Sequence, residues 1–417
     1  MGTVVWNGDA TAVAHVANAS IDSVDGTPAN NTFTVTIDGL AISQVGDTDV
    51  ATTAAALVVL LNASTYAQFA EVTWTNPSAG NITGTADTAG VPFTATLTET
   101  GAGTGAVTDF SDTTASAGPN DWSTAANWDT GAVPVDDDDV VIENSAIPIY
   151  YGLDQSAVEL GSLRIEPTFT ATGGIGLPRT NASGYVEYRR TALKLSATTA
   201  VIDGSGTGRI NIEWDTDDKT ACTINGTGTA AETGVPPILL SGGHADNTLN
   251  VNKGTVAVGY YAGETATLTT ADVGYITNQG SDATVSFGSG VTLGTLTTRG
   301  GTTTAECNTT TATNSGGTLD IAGAATSGTL NNRGGTVYYT STGTCTTLNA
   351  STGSVTDFRR NSSGRTVTNA NVYSGAAIYD PAASVTWTNG LDLRECGFQD
   401  VALDLGDHLT WTPSAIV

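Results

Sequence analysis

Charge is scarce in this 417-residue chain, and where it occurs it is almost one-sided. Charged residues make up 13% of the sequence, roughly half the share of an ordinary globular protein. No lysine or arginine precedes Arg164, whereas residues 1–163 hold 20 Asp and Glu, so that part carries −20 and the remainder 14 − 21 = −7. Such a surface repels phosphate, which excludes nucleic acid as a partner and leaves basic protein surfaces and Ca²⁺ as the attractive ones. Long apolar runs are missing too. "ALVVLL", Ala56 to Leu61, falls far short of a bilayer span, so no membrane partner is expected. The first residues have no basic stretch followed by an apolar one, the pattern of an export signal, and the chain is expected to stay in the cytoplasm where it is made.

Reactive chemistry is equally thin. The four cysteines, Cys222, Cys307, Cys345 and Cys396, form no CxxC pair and read as reduced, buried small hydrophobes rather than disulfides or zinc ligands. His15, His244 and His408 are scattered without metal-binding spacing, and there is no GxSxG, phosphate-loop or dinucleotide motif. Aromatics are only 6% of the chain, against 50 glycines. A chain of small, β-branched and turn-forming residues predicts a mainly β protein with many turns.

Residues 31–98 carry the one helical signal. "NTFTVTIDGLAISQVG" alternates apolar and polar about Asp38-Gly39, a hairpin turn. Asp47 or Thr48 then caps a helix whose Val50, Ala54, Leu57 and Leu61 share one face. "QFAEVTWTN", "NITGTADTAG" and "VPFTATLTE" read as strands again, giving a ββαββ unit with one helix over one sheet face. "GAGTGAVTDFSDTTASAGPN" reads as a linker, which makes residues 1–118 an acidic α+β domain.

Beyond the linker, "DWSTAANWDTGAVPVDDDDVVI" places Trp122 and Trp128 six residues apart, followed by Asp136, Asp137, Asp138 and Asp139. Gly254, Gly280, Gly301, Gly317, Gly335, Gly353 and Gly375 then each open a short strand, at spacings of 26, 21, 16, 18, 18 and 22. A turn glycine followed by alternating residues is what a coil of stacked strands requires, and a coil excludes water only when neighbouring rungs stack. Residues 119–386 therefore read as a parallel β-solenoid; an antiparallel sandwich is the competing arrangement. Trp122 and Trp128 would cap its first rung. The four aspartates would guard the exposed strand edge or, in a second reading, bind Ca²⁺. No other cofactor is indicated. Residues 387–417, with Trp387, Phe398 and Trp411, read as a C-terminal β cap or trimer contact.

Two clusters remain. "NIEWDTDDKT" sets Glu213, Asp215, Asp217 and Asp218 around Trp214. On an extended strand, Glu213, Asp215 and Asp217 share a face roughly 7 Å apart, a pairing that could serve glycoside hydrolysis with the ring stacked on sugar. A solvated acidic turn is the bland alternative. "DFRRNSSGR", with Arg359, Arg360 and Arg365, is the one basic cluster and suits an acidic neighbour, such as the N-terminal domain of another chain, or an ordinary surface turn.

Two stretches carry resemblances. "FTVTIDGLAIS", "GDTDVATTAAALVVLLNAS" and "ITGTADTAGVPFTAT", about the first quarter of the chain, resemble a small assembly domain of tailed-bacteriophage structural proteins. Trp122-Ser123, Asn127-Trp128, Gly131 and Pro134 resemble the opening of right-handed β-solenoids in bacterial surface and phage proteins. The resemblances imply a non-enzymatic structural protein of a phage virion: a head decoration or fibre, or a tail-fibre component. It would be anchored on other virion proteins by its first domain and associate as a homotrimer. A tailspike that depolymerises host-surface glycan through Glu213 and Asp215, and a bacterial surface adhesin, are the alternatives.

Overall fold

A computed structural model describes residues 2–178, 189, 191–274 and 282–408. Parallel pairing dominates it. Within the coil, strand segments pair in parallel with the equivalent segment one turn later and not across a hairpin, which makes a stacked coil rather than a sandwich. The longer segment of each turn loses pairing at one position, Thr269, Gly294, Thr310, Gly328 and Thr346 in successive turns, which bends it into two arms. A short segment such as Thr302–Ala305 or Thr318–Ile321 completes the turn.

One inward row runs the length of the coil. Val4 stacks on Val140, Val140 on Leu163, Leu163 on Ala200 and Ala200 on Cys222. The row continues through Leu249, Ala271, Leu296, Ala312, Leu330, Leu348, Ala370 and Leu391. All but Leu391 are buried. Large and small side chains alternate through much of it, so successive layers interlock instead of colliding. At the usual ~4.8 Å between strands, its twelve steps span roughly 58 Å.

The corners explain the glycine spacing. In "TRGG", "NSGG" and "NRGG" the second glycine, Gly301, Gly317 and Gly335, has φ of 72°, 81° and 71°, a left-handed conformation that side chains resist. Gly254, Gly353 and Gly375 share it at 99°, 73° and 77°, while Gly280 lies outside the described residues. Buried Asn314 and Asn332 donate from their amides to Gly334 O and Val355 O, both at 2.8 Å, tying each corner to the next turn. Cys222, Cys307 and Cys345 are free and buried, and burial pushes their thiols up to about 12. Cys396 is free and partly exposed.

The N-terminal unit is built differently from the expected ββαββ. The Asp38-Gly39 hairpin forms between Asn31–Ile37 and Leu40–Val45, with φ of 46° and 78° at the turn. The helix Val50–Asn62 buries Ala54, Leu57 and Leu61, although its cap is Asp49, whose carboxylate accepts from Thr52 N–H at 2.8 Å. Two antiparallel sheets replace the single one. Four strands run in the order Val72–Thr75, Asn81–Ala86, Val16–Ser23, Ala106–Thr114, and three in the order Leu40–Val45, Asn31–Ile37, Thr96–Gly101. Ala106–Thr114 falls within the stretch expected to be a linker. It is an edge strand with no fully buried residue, so polar side chains occupy both faces and the alternation of a half-buried strand is missing.

Both expected boundaries shift. Thr3–Val5 belong to the coil, pairing in parallel with Asp139–Val141, so the α+β unit is an insertion whose neck closes where Val13 N–H donates to Ala117 O at 2.7 Å. At the far end the coil runs through residue 387 without a break. Val385–Trp387 and Leu391–Arg394 stack on Arg365–Tyr373, and Ala402–Asp404 on Ala377–Tyr379, so the expected cap is a further turn. Trp387 packs edge-on against Phe358 at 5.7 Å, Phe398 is exposed, and Trp411 lies outside the described residues. Among the described residues no helix is long and apolar enough to cross a membrane.

A Cβ at Gly335 would lie 2.4 Å from Gly317 O, whereas one at Gly353 meets open space. Gly353→Ala should therefore cost only the left-handed backbone penalty of about 1–2 kcal/mol, and Gly335→Ala clearly more; equal denaturation midpoints for the two would refute this account of the corners.

Candidate functional site

The junction between insertion and coil buries three tryptophans, Trp6, Trp122 and Trp128, beside the polar side chains of Asn127 and Asp121. Trp122 and Trp128 are both buried against the coil's first rungs, ring centroids 4.7 Å apart at 73°, with Trp128 Nε1 donating to Trp122 O at 2.8 Å. Trp6 joins them, 5.1 Å from Trp128 at 75° and donating from Nε1 to Ile147 O at 3.3 Å. Edge-to-face packing sets the positive ring edge against the negative face of its neighbour. Asn127, fully buried, holds this arrangement together. Its Nδ2 donates to Gly118 O and Asp121 O at 2.7 Å each, its Oδ1 accepts from Ala10 N–H at 2.9 Å, and its backbone carbonyl accepts from Asn7 N–H at 2.7 Å.

The aspartate block does not guard an edge. Its strand, Asp139–Ile142, pairs on both sides, with Thr3–Val5 and with Ser162–Ile165. The free edge moves to Thr3–Val5, where Asp129 covers Val5 by accepting from its N–H at 2.8 Å and donating to its carbonyl at 3.0 Å. Three of the four carboxylates act as hydrogen-bond acceptors for the first rung. Asp136 takes Glu159 N–H at 3.0 Å, Asp138 takes Val135 N–H at 3.0 Å and Gly2 N–H at 3.3 Å, and Asp139 takes the Ser162 hydroxyl at 2.5 Å. Asp137 supplies a left-handed turn, φ 65°. Among the described residues no three His, Cys, Asp or Glu side chains converge on a point that could hold a metal ion.

The acidic cluster on the coil is brought together, but around a cation. Lys194 lies opposite Glu213 on the adjacent strand, and its Nζ is 3.3 Å from Asp215 Oδ1 and 3.9 Å from Glu213 Oε1. The strand ends at Trp214, leaving Asp217 exposed in the turn and Asp218 half-exposed. Trp214 turns inward, 4% exposed, beside a cavity of about 10 Å³ shared with Cys222 and Leu240, space for about one water. Its ring is thus not presented to stack on a sugar, and both carboxylates are engaged by Lys194.

A surface cleft of about 410 Å³ separates the insertion from the coil, lined among others by His15, Phe93, Phe110, Asp112, Asp121 and Ser123. His15 Nδ1 accepts from Phe93 N–H at 3.1 Å, which leaves the proton on Nε2 for Asp112 Oδ1 at 2.8 Å. Asp121 is buried, and desolvation pushes its carboxyl above the usual range although it accepts from Ser123 N–H at 2.8 Å.

Sequence reasoning missed Trp6, Asn127 as the hub, and Lys194 as the counter-ion. Trp6 carried a visible signal, a lone large aromatic among small residues. Comparison with protein families, with characterised proteins and with solved structures finds no match to this chain.

Trp128→Ala should destabilise the protein by about 3–5 kcal/mol, as for other buried tryptophans; chemical denaturation checks it, and a loss under about 1 kcal/mol would show that the ring is not a cap. Asp121 has a folded-state pKa raised above its unfolded value, so its contribution to stability is full below the unfolded value and is lost as pH rises through the folded one. Asp121→Asn keeps an acceptor for Ser123 and has no charge to bury. Its stability relative to wild type should rise between acid and neutral pH, and a flat difference would sink this reading.

Proposed function

We propose that the chain is a non-enzymatic structural protein of a tailed-phage virion, a head decoration or fibre or a tail-fibre component assembled in the host cytoplasm. The inserted unit anchors it on other virion proteins, the coil projects, and copies associate as a homotrimer. The observation that carries this reading is the division of labour within one chain: a rod built of stacked turns, with a compact antiparallel unit inserted at one end and joined through a narrow neck at Val13 and Ala117. A stack in which each turn contacts only its neighbours is suited to bridging distance. The insertion carries acidic side chains and no lysine or arginine, which favours docking on a basic protein shell and disfavours DNA. The two sequence resemblances point the same way.

The depolymerase alternative needs Glu213 and Asp215 free beside an exposed ring, whereas Lys194 engages both carboxylates and Trp214 is buried. Host-surface glycan remains a partner for the projecting coil in this proposal, as a ligand.

The test compares the full chain with a variant in which residues 14–116 are replaced by a short glycine linker, keeping Thr3–Val5 and Trp6 in the coil. Only the full chain should co-sediment with purified phage heads or tails, and binding should weaken with salt. If neither form binds a particle while the full chain releases sugars from host capsule, the structural reading fails.

A further inference from the structure

The basic cluster "DFRRNSSGR" divides in two in the structure. Arg365 is 3% exposed and donates to the carbonyls of Tyr339, Asn361 and Ser363, so it is unavailable to a partner and instead pins the loop that precedes it. That loop presents Arg359 and Arg360, both exposed. Asp357 holds the Arg359 guanidinium through Nε at 3.0 Å and Nη2 at 2.7 Å, and the guanidinium lies 4.6 Å from the centre of the Tyr379 ring. Arg360 lies over Tyr338 at 3.2 Å and has no carboxylate partner among the described residues. Tyr338, Asp357 and Tyr379 occupy the same position on three successive turns, so the two arginines are braced one above the other on a fixed ladder.

We infer that this arginine–tyrosine platform is a self-association surface that takes the acidic N-terminal insertion of a second copy, head to tail. Three observations converge on that occupant. The guanidinium of Arg360 already lies over the Tyr338 ring, a contact that restricts it and lowers the entropy lost on binding, and its planar fork suits a carboxylate. Tyrosine and arginine together are the side chains that dominate protein interfaces. The complementary surface lies in the same chain: no lysine or arginine precedes Arg164, while Asp109 and Asp112, whose Oδ1 atoms accept from Leu97 N–H and His15 respectively, stand exposed on the edge strand Ala106–Thr114. Insertion and platform occupy different parts of one chain, so the contact is heterologous. It closes into a ring where the rotation between copies allows and otherwise propagates. The inference does not depend on the virion proposal.

Sedimentation velocity on the full chain tests it. At roughly 0.1 M ionic strength, where charges act across about 10 Å and the overall repulsion between two acidic chains is largely screened, the wild type should sediment above the monomer, and at ~1 M, where they act across about 3 Å, it should return to the monomer. Arg360→Glu reverses the charge without removing a side-chain hydrogen bond among the described residues and should weaken association roughly tenfold or more; Arg360→Lys should fall between. Added to wild type, Arg360→Glu still offers an acidic insertion and should shorten the assemblies. A wild type that is monomeric at both salts overturns the inference, as does a folded Arg360→Glu that associates like wild type. Should Arg360→Glu fail to fold, the wild-type salt response alone decides.

Discussion

Everything in this protein leans on the contact between one turn of the coil and the next. Each turn is a few short strands of small residues, too little to exclude water, and it becomes a core only because its inward side chain rests on the one below. The row from Val4 to Leu391 is that contact repeated twelve times. Energetically the consequence is nearest-neighbour stability: every interior turn has two partners, and each end turn has one. The ends are therefore where the molecule must supply something extra, and tryptophans stand at both. Trp6, Trp122 and Trp128 stand at one end and Trp387 against Phe358 at the other.

The two ends are closed by different means. At the first rung the chain folds its own early segment back under a strand 136 positions later, covers the edge with Asp129 and ties the crossing chains with Asn127. This construction leaves few unpaired backbone groups for a stray strand to use. At the other end the coil carries on to Ala402–Asp404 with shorter, more exposed strands. Phe398 is exposed there and the strand burial is lower. The rod is thus tightly closed at its acidic end and more open towards the arginine-bearing one.

Local signals were legible in the sequence and long-range ones were not. Glycine takes a left-handed corner at least cost, so the corners could be read directly from Gly301, Gly317 and Gly335. The Asp38-Gly39 hairpin and the buried helical face of Ala54, Leu57 and Leu61 were equally plain. Thr3–Val5 is three residues long and its partner is distant, so no periodicity reveals the pairing. Ala106–Thr114 escaped because an exposed edge strand has no apolar alternation. At the acidic cluster the residue types were visible, but the decisive group was Lys194, twenty positions upstream and adjacent only through strand pairing. A run of carboxylates cannot by itself say whether a cation already sits among them.

The return of Thr3–Val5 to the first rung also sets an order in time. When the chain emerges from the ribosome, those residues wait for Asp139–Ile142, which at 5–20 residues per second means on the order of ten seconds. The inserted unit is complete within that interval, and its neck at Val13 and Ala117 brings the waiting segment beside the site it will occupy. The insertion thus acts as a tether that shortens the search for the first rung, and the coil then grows turn by turn on a foundation laid before most of it has been made.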